Sequence, residues 1–266
     1  MKQLSRLLPS VTWQSLFAGA MYIFMYAPIL VLGLYSFNES RYGAVWKGFS
    51  LKWYGKLFQD ERLFLALADS LKIAFCAVGL SAVLGTLMAI GLAKYRFPGR
   101  SVYRGASYLP LIIPDIAIAV ATLVFLAAAA IPLSIWTAIA AHMVFCLAYV
   151  AVVVSSRLSG MNPHLEEAAL DLGATPTQAL VKVLLPQLAP AILAGCLLAF
   201  VLSMDDLLIS SFTAGGATPL PIEIFSRVRT GVKPDINALS VVLILASGLL
   251  AAIAEYLRYK SEQAKG

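Results

Sequence analysis

Long, unbroken apolar runs constrain this chain more than any other feature. The stretch Ile135 to Ser156 holds no charged residue at all, and Leu71 to Ala93 holds only Lys72. At about 1.5 Å per residue, roughly 20 apolar residues cross the hydrocarbon core of a bilayer. There only a helix or a closed barrel satisfies every backbone N–H and C=O. These runs are continuous and not alternating, so they are read as helices. Composition agrees: 60% of residues are hydrophobic and 13% charged, against about a quarter charged in soluble domains, and the mean hydropathy is +0.83. The expected fold class is an all-α membrane protein.

Six candidate spans follow: Phe17 to Phe37, Leu71 to Ala93, Gly105 to Ala130, Ile135 to Ser156, Gln187 to Ile209 and Asn237 to Leu257. Lys2 and Arg6 precede the first, which is too long for a signal-peptide core and lacks a small-residue cleavage pattern; it is read as an uncleaved helix. Short loops rich in Lys and Arg stay on the cytoplasmic side. Lys94, Arg96, Arg100 and Arg104 crowd the connection after span two, whereas Ile131 to Ser134 is uncharged. Both termini are therefore expected in the cytoplasm, with Arg258, Lys260 and Lys265 at the end. The longer segments assigned outside also carry basic residues, Arg41, Lys47, Lys52, Lys56 and Arg62 in one and Arg227, Arg229 and Lys233 in the other; the short loops are given more weight. The net charge of +6 then reflects topology, and no basic run with interleaved aromatics points to nucleic acid.

Residues 1–266 are expected to form one transmembrane domain, because no polar stretch is long enough for a soluble one. Residues 158–186 are a cytoplasmic loop within it. Between the first two spans, Trp53, Leu57 and Leu63 suggest an amphipathic piece lying at the membrane interface, with Trp46 and Tyr54 nearby. Pro110 and Pro114 each remove a helical hydrogen bond, so span three should be kinked or broken there. The small residues Gly79, Ser81, Gly85, Thr86 and Gly91 of span two read as helix-packing positions. Cys76, Cys146 and Cys196 show no disulfide or metal spacing and are read as packing residues.

Three carboxylates interrupt the apolar spans. Counted along a straight helix from Gly105, Asp115 lies about 15 Å deep; an ionised group there needs a wet cavity or a partner. Asp205 and Asp206 fall near the external end of span five. One of that pair serves equally well as a cap for the following short helix or as a partner of Arg227 or Arg229. The functional alternative is that the three line a pathway for a cation, as acidic rings do in cation-selective pores. Gly215, Gly216, Pro219 and Pro221 suggest a re-entrant or interfacial segment after span five, with Glu223 on a solvated face. His142 and Cys146 share a helix face, but two ligands fall short of the four or so that zinc takes. His164 is expected to be solvated. No GxxxxGK[ST], HExxH or GxSxG occurs, so no nucleotide site, hydrolytic centre or bound cofactor is expected.

A helical, amphipathic insert at Glu167 to Pro186, EAALDLGATPTQALVKVLLP, lies between spans four and five. Helix formers run from Glu166 to Ala174 with an apolar face at Ala169, Leu170 and Leu172, and Gly173 suits a C-cap. Thr175-Pro176 starts a second short helix, Thr177 to Leu184, expected to stop at Leu185-Pro186. Glu167-Ala168-Ala169, Gly173, Val183 and Leu185-Pro186 together resemble the EAA loop of bacterial ABC-importer permeases. Tyr26 to Asn38 (YAPILVLGLYSFN), Ala148 to Leu158 (AYVAVVVSSRL), Ser203 to Gly216 (SMDDLLISSFTAGG) and Gly231 to Ser240 (GVKPDINALS) extend the likeness to the polyamine permeases, for putrescine or spermidine.

The resemblance implies a six-helix type I importer permease of the bacterial inner membrane, coupled through Glu167, Ala168, Ala169, Gly173, Leu185 and Pro186 to a separate ATP-binding-cassette ATPase dimer that binds and hydrolyses the ATP. It also implies a second, similar permease, a periplasmic solute-binding protein and a small cationic substrate; from the placement of the carboxylates, a dication delivered at the outer mouth is expected to meet Asp205 or Asp206 first and Asp115 deeper. Two other readings remain open. One is the same importer with a basic amino acid or another amine as cargo; the other is an ion-coupled secondary transporter in which Asp115 relays a proton or sodium ion.

Overall fold

A computed structural model of the protein describes residues 13–40, 45–162, 164–231 and 234–263, with side chains as far as residue 249. Lys2, Arg6, Arg41, Pro163, Val232, Lys233 and Lys265 lie outside the described residues, as do the side chains of Arg258 and Lys260. In chain order the helices are α1 (Trp13–Tyr35), α2 (Lys52–Leu57), α3 (Glu61–Lys94), α4 (Arg100–Tyr108), α5 (Asp115–Ala128), α6 (Ile135–Ser159), α7 (Leu165–Asp171), α8 (Pro176–Ala179), α9 (Leu185–Asp205), α10 (Leu208–Thr213), α11 (Leu220–Arg229) and α12 (Pro234–Gln263). They form two compact units, Met1–Asp60 with Ser226–Gly266, and Glu61–Phe225.

Among the described residues, four stretches are long and apolar enough to cross a membrane: α1, α3, α6 and the continuous helix Pro176–Asp205. The segment Arg100–Leu111 and α5 together qualify as a fifth but meet at 108°. Pro110 sits in a short 3-10 turn, Leu109–Leu111, and Pro114 in extended backbone just before α5. The break expected from the two prolines is present. Its consequence corrects the depth given to Asp115, which is the first residue of a new helix and not the middle of a straight one. The sixth expected span corresponds to α12, whose apolar part within the described side chains is Pro234–Leu249.

In the first unit, Asn38 organises the loop after α1. Its side chain donates to the Val45 carbonyl at 2.9 Å and accepts from the backbone N–H of Ser40 and Lys47, while its carbonyl accepts from Trp53 Nε1 at 2.8 Å. An antiparallel bridge joins Asn38 to Phe49, and the Phe37 and Phe49 rings stack 5.2 Å apart. Trp53 and Leu57 are buried and α2 packs on α12. This replaces the expected piece on the membrane interface: the indole finds its acceptor inside the protein, so its apolar body is covered by protein too. Arg227 pairs with Asp60 at 2.7 Å and Asp235 at 3.7 Å, two carboxylates of this same unit.

The core of the second unit is α3, α6 and α9, with α6 packed against both of the others. Ile73, Ala77, Cys146, Val150, Val154, Leu188 and Ala199 fill it. Two glycines set the helix separation: a Cβ on Gly85 would lie 3.0 Å from the Leu147 carbonyl, and one on Gly195 would lie 3.1 Å from Val150 Cα. Small residues thus do for these helices what they do in membrane bundles generally. Of the positions expected to pack in span two, Gly85, Ser81 and Thr86 do so, whereas Gly79 and Gly91 face open space. Cys146 is buried and Cys76 exposed, so the packing role holds for the first and not for the second.

Gly215 locks the turn after α10 against the turn before α6. Its φ is +61°, and a Cβ there would sit 2.4 Å from the Leu133 carbonyl oxygen. Thr137 Oγ1 ties the same turns by donating to the Thr213 carbonyl at 2.7 Å. Gly215→Val therefore meets both a backbone penalty and a clash with main chain that cannot move aside, together on the order of 3 kcal/mol. The expected result is a clear drop in the melting temperature of the detergent-purified protein, with Gly216→Ala, where no atom lies within 4 Å, as the silent control.

Candidate functional site: an acidic pocket and the helix leading away from it

Asp115 and the adjacent pair Asp205 and Asp206 come from two distant places in the chain and meet at one pocket. It has a volume of about 140 Å³ and is lined by Pro110, Asp115, Phe145, Tyr149, Leu202, Asp205, Asp206 and Ile209. The helix break at Pro110 and Pro114 brings Asp115 there; the end of α9 brings the pair. Asp115 and Asp205 are exposed and have no hydrogen bond or ion pair among the described residues.

Asp206 is held differently. Its two oxygens accept from the backbone N–H of Ile209 at 3.2 Å and of Ser210 at 2.8 Å, capping α10, and Oδ2 lies 3.3 Å from His142 Nε2. The capping role foreseen for one Asp of the pair thus falls to Asp206. Its partner is the His142 ring of α6 and not Arg227 or Arg229. His142 is 1% exposed, with Nδ1 2.8 Å from Ser203 Oγ and Nε2 3.0 Å from Ser210 Oγ. Cys146 turns away towards the Ala199 carbonyl, and among the described residues no three His, Cys, Asp or Glu gather around a metal position. Sequence reasoning missed the pairing of His142 with Asp206. The signal was there, since an ionisable side chain in an otherwise uncharged span needs a partner.

Of the EAA residues, Glu167, Ala168 and Ala169 lie on α7, Gly173 follows it, and Leu185 and Pro186 open α9. Lys94, at the end of α3, pairs with Glu166 at the start of α7. Glu167 is 71% exposed and meets His164 at 2.7 Å; Ala168 is exposed and Ala169 half-buried. Gly173, at φ +89°, closes α7: its N–H donates to the Leu170 carbonyl and that of Ala174 to the Ala169 carbonyl, the Schellman pattern that satisfies the last carbonyls of a helix. Leu172 is 90% exposed, an apolar side chain with nothing over it among the described residues.

Thr175 then caps α8, accepting from the Gln178 N–H while the Gln178 side chain accepts from the Thr175 N–H. The second short helix does not stop at Leu185-Pro186. A π-helical stretch, Leu180–Leu184, carries α8 straight into α9, with Pro186 in the first turn of α9. The wider i→i+5 turn relieves the clash that a proline ring makes with the carbonyl four residues earlier. Leu185 is half-buried against the core and Pro186 exposed. One helix therefore joins the EAA segment to the acidic pocket; the 21 residues of α9 place its ends roughly 30 Å apart at about 1.5 Å each.

An all-helical unit with a projecting helix pair at one end of α9 and a charged pocket at the other defines a membrane transport subunit. Residues 81–265 match the family described as binding-protein-dependent transport system inner membrane component, and the chain belongs to it. It is 44% identical to the putrescine transport system permease protein PotI of Escherichia coli (strain K12), covering 91% of this chain and 89% of that one. It is 41% identical to the spermidine/putrescine transport system permease protein PotC of Haemophilus influenzae, covering 92% and 96%. Among solved structures, a chain of a bacterial ABC transporter that imports the acidic polysaccharide alginate superposes with a TM-score of 0.75 at 16% identity, covering 96% of this chain and 98% of that one. That structure shares the fold.

Proposed function

We propose that this chain is a translocation subunit of an ATP-driven importer for polyamines, putrescine or spermidine. One observation carries the reading: two carboxylates without partners among the described residues and a third fixed by its cap share a pocket with Phe145 and Tyr149. Carboxylates and aromatic faces are what an alkyl diammonium needs, charge for its ends and apolar or cation–π contact for its methylenes. The relatives that transport putrescine and spermidine support the cargo. Weak single contacts suit a pathway, since the ion must also leave.

The exposed face of Glu167, Ala168 and Leu172 is the dock for the ATPase dimer, which supplies the ATP chemistry; a second permease and a binding protein complete the assembly in the inner membrane, with both termini cytoplasmic. Closure of the ATPases pushes on α7, and α9 passes the movement to the pocket as a rigid lever. The whole chain serves as one permease domain. The cargo is tested in vesicles holding this chain and the subunits encoded with it. Putrescine and spermidine should displace each other's radiolabel, and a tenfold excess of arginine should not; displacement by arginine alone would move the cargo to basic amino acids.

A further inference from the structure

We propose that His142 is the positioning residue of the pocket, holding the Asp206 carboxylate aimed at the cargo through an Nε2–H donor. The inference rests on the cation-pathway reading above. Asp206 meets three groups, two backbone N–H donors and His142 Nε2, so the ring nitrogen facing a carboxylate acceptor carries the hydrogen. Nδ1 is then the acceptor and Ser203 Oγ–H its donor at 2.8 Å. Ser210 belongs to the same network twice, giving its backbone N–H to Asp206 and accepting at its Oγ from the same Nε2–H. The Nε2–H is shared between Ser210 Oγ at 3.0 Å and Asp206 Oδ2 at 3.3 Å, so the ring and the α10 cap together fix the carboxylate at the pocket wall.

His142 is not simply filling the core. Its ring packs 5.3 Å from that of Phe145, so it touches two lining residues, Phe145 and Asp206, while itself standing outside the lining. The sequence of groups Ser203, His142, Asp206 has the members of a nucleophilic triad in the wrong setting. Ser203 is buried and absent from the pocket wall, so the network orients and does not react. Asp115 and Asp205, lacking such a clamp, adjust to the cargo as it passes; Asp206 is the fixed reference.

The test compares His142→Gln, which keeps one N–H donor and one acceptor, with His142→Leu, which keeps only bulk. The complete importer is reconstituted in proteoliposomes, and radiolabelled putrescine uptake is divided by ATP hydrolysed, so that a loss of folded protein cancels. His142→Gln should stay within about threefold of the wild type and His142→Leu fall at least about tenfold, the loss of a hydrogen bond to a charged group. Equal ratios for Leu and wild type, or equal impairment of Gln and Leu, would overturn the positioning role. Asp206→Asn in the same assay separates the two levels: a wild-type ratio there removes the pathway reading itself, whereas an impaired Asp206→Asn beside a normal His142→Leu removes only the role of His142.

Discussion

Glu167→Lys should reduce uptake to background while the protein still inserts and purifies in normal amount. Glu167 is largely exposed and its one visible partner is the equally exposed His164, so its reversal disturbs the fold of this chain little. A charge in the first turn of a helix contributes about 0.3–1 kcal/mol through the helix dipole. At a docked interface the same reversal costs roughly 3 kcal/mol, or about a hundredfold. The two effects differ enough to be separated by measuring the melting temperature of the isolated subunit beside co-purification of the ATPase. A variant that binds the ATPase and transports normally would remove α7 as the coupling element.

Removing both unclamped carboxylates, with Asp115→Asn and Asp205→Asn together, should cut transport of a dication by at least about a hundredfold if each contributes about 1.4 kcal/mol, or tenfold, to carrying it. Neither side chain has a partner to lose among the described residues, and the two lie in different helices, so stability should change by less than about 0.5 kcal/mol. Asp206→Asn differs in kind. An amide there turns an N–H₂ towards one of the backbone donors, leaving it unpaired, at about 1–3 kcal/mol; the melting temperature should fall along with transport. The double variant is therefore the cleaner probe of charge. Unchanged uptake kinetics with it would return Asp115 and Asp205 to the surface of the subunit.

Features governed by local backbone chemistry were legible in the sequence. The break at Pro110 and Pro114, the cap at Gly173 and the helix start at Thr175-Pro176 each follow from what those residues do to their immediate neighbours. What depended on long-range packing was not. Asp115 looked deep because depth was counted along a helix that bends at 108° before reaching it. Trp53 looked like a membrane anchor because the acceptor of its indole, the Asn38 carbonyl, is fifteen residues away. Pro186 looked like a helix stop because a π-turn leaves no mark in composition. The pocket itself was half visible: all three carboxylates were identified, but Phe145 and Tyr149 join them in the lining, and His142 reaches Asp206, only once α6 packs against α3 and α9.

The central claim is that transport through this subunit is driven by ATP through a docked ATPase and not by an ion gradient. The direct measurement is putrescine uptake by proteoliposomes containing this chain with its permease partner, the ATPase and the loaded binding protein, with ATP present or absent inside the dock-facing compartment and with a protonophore added. Uptake that requires ATP and the binding protein and is unmoved by the protonophore is the predicted result. Uptake that persists without the ATPase and collapses when the gradient is dissipated would contradict it.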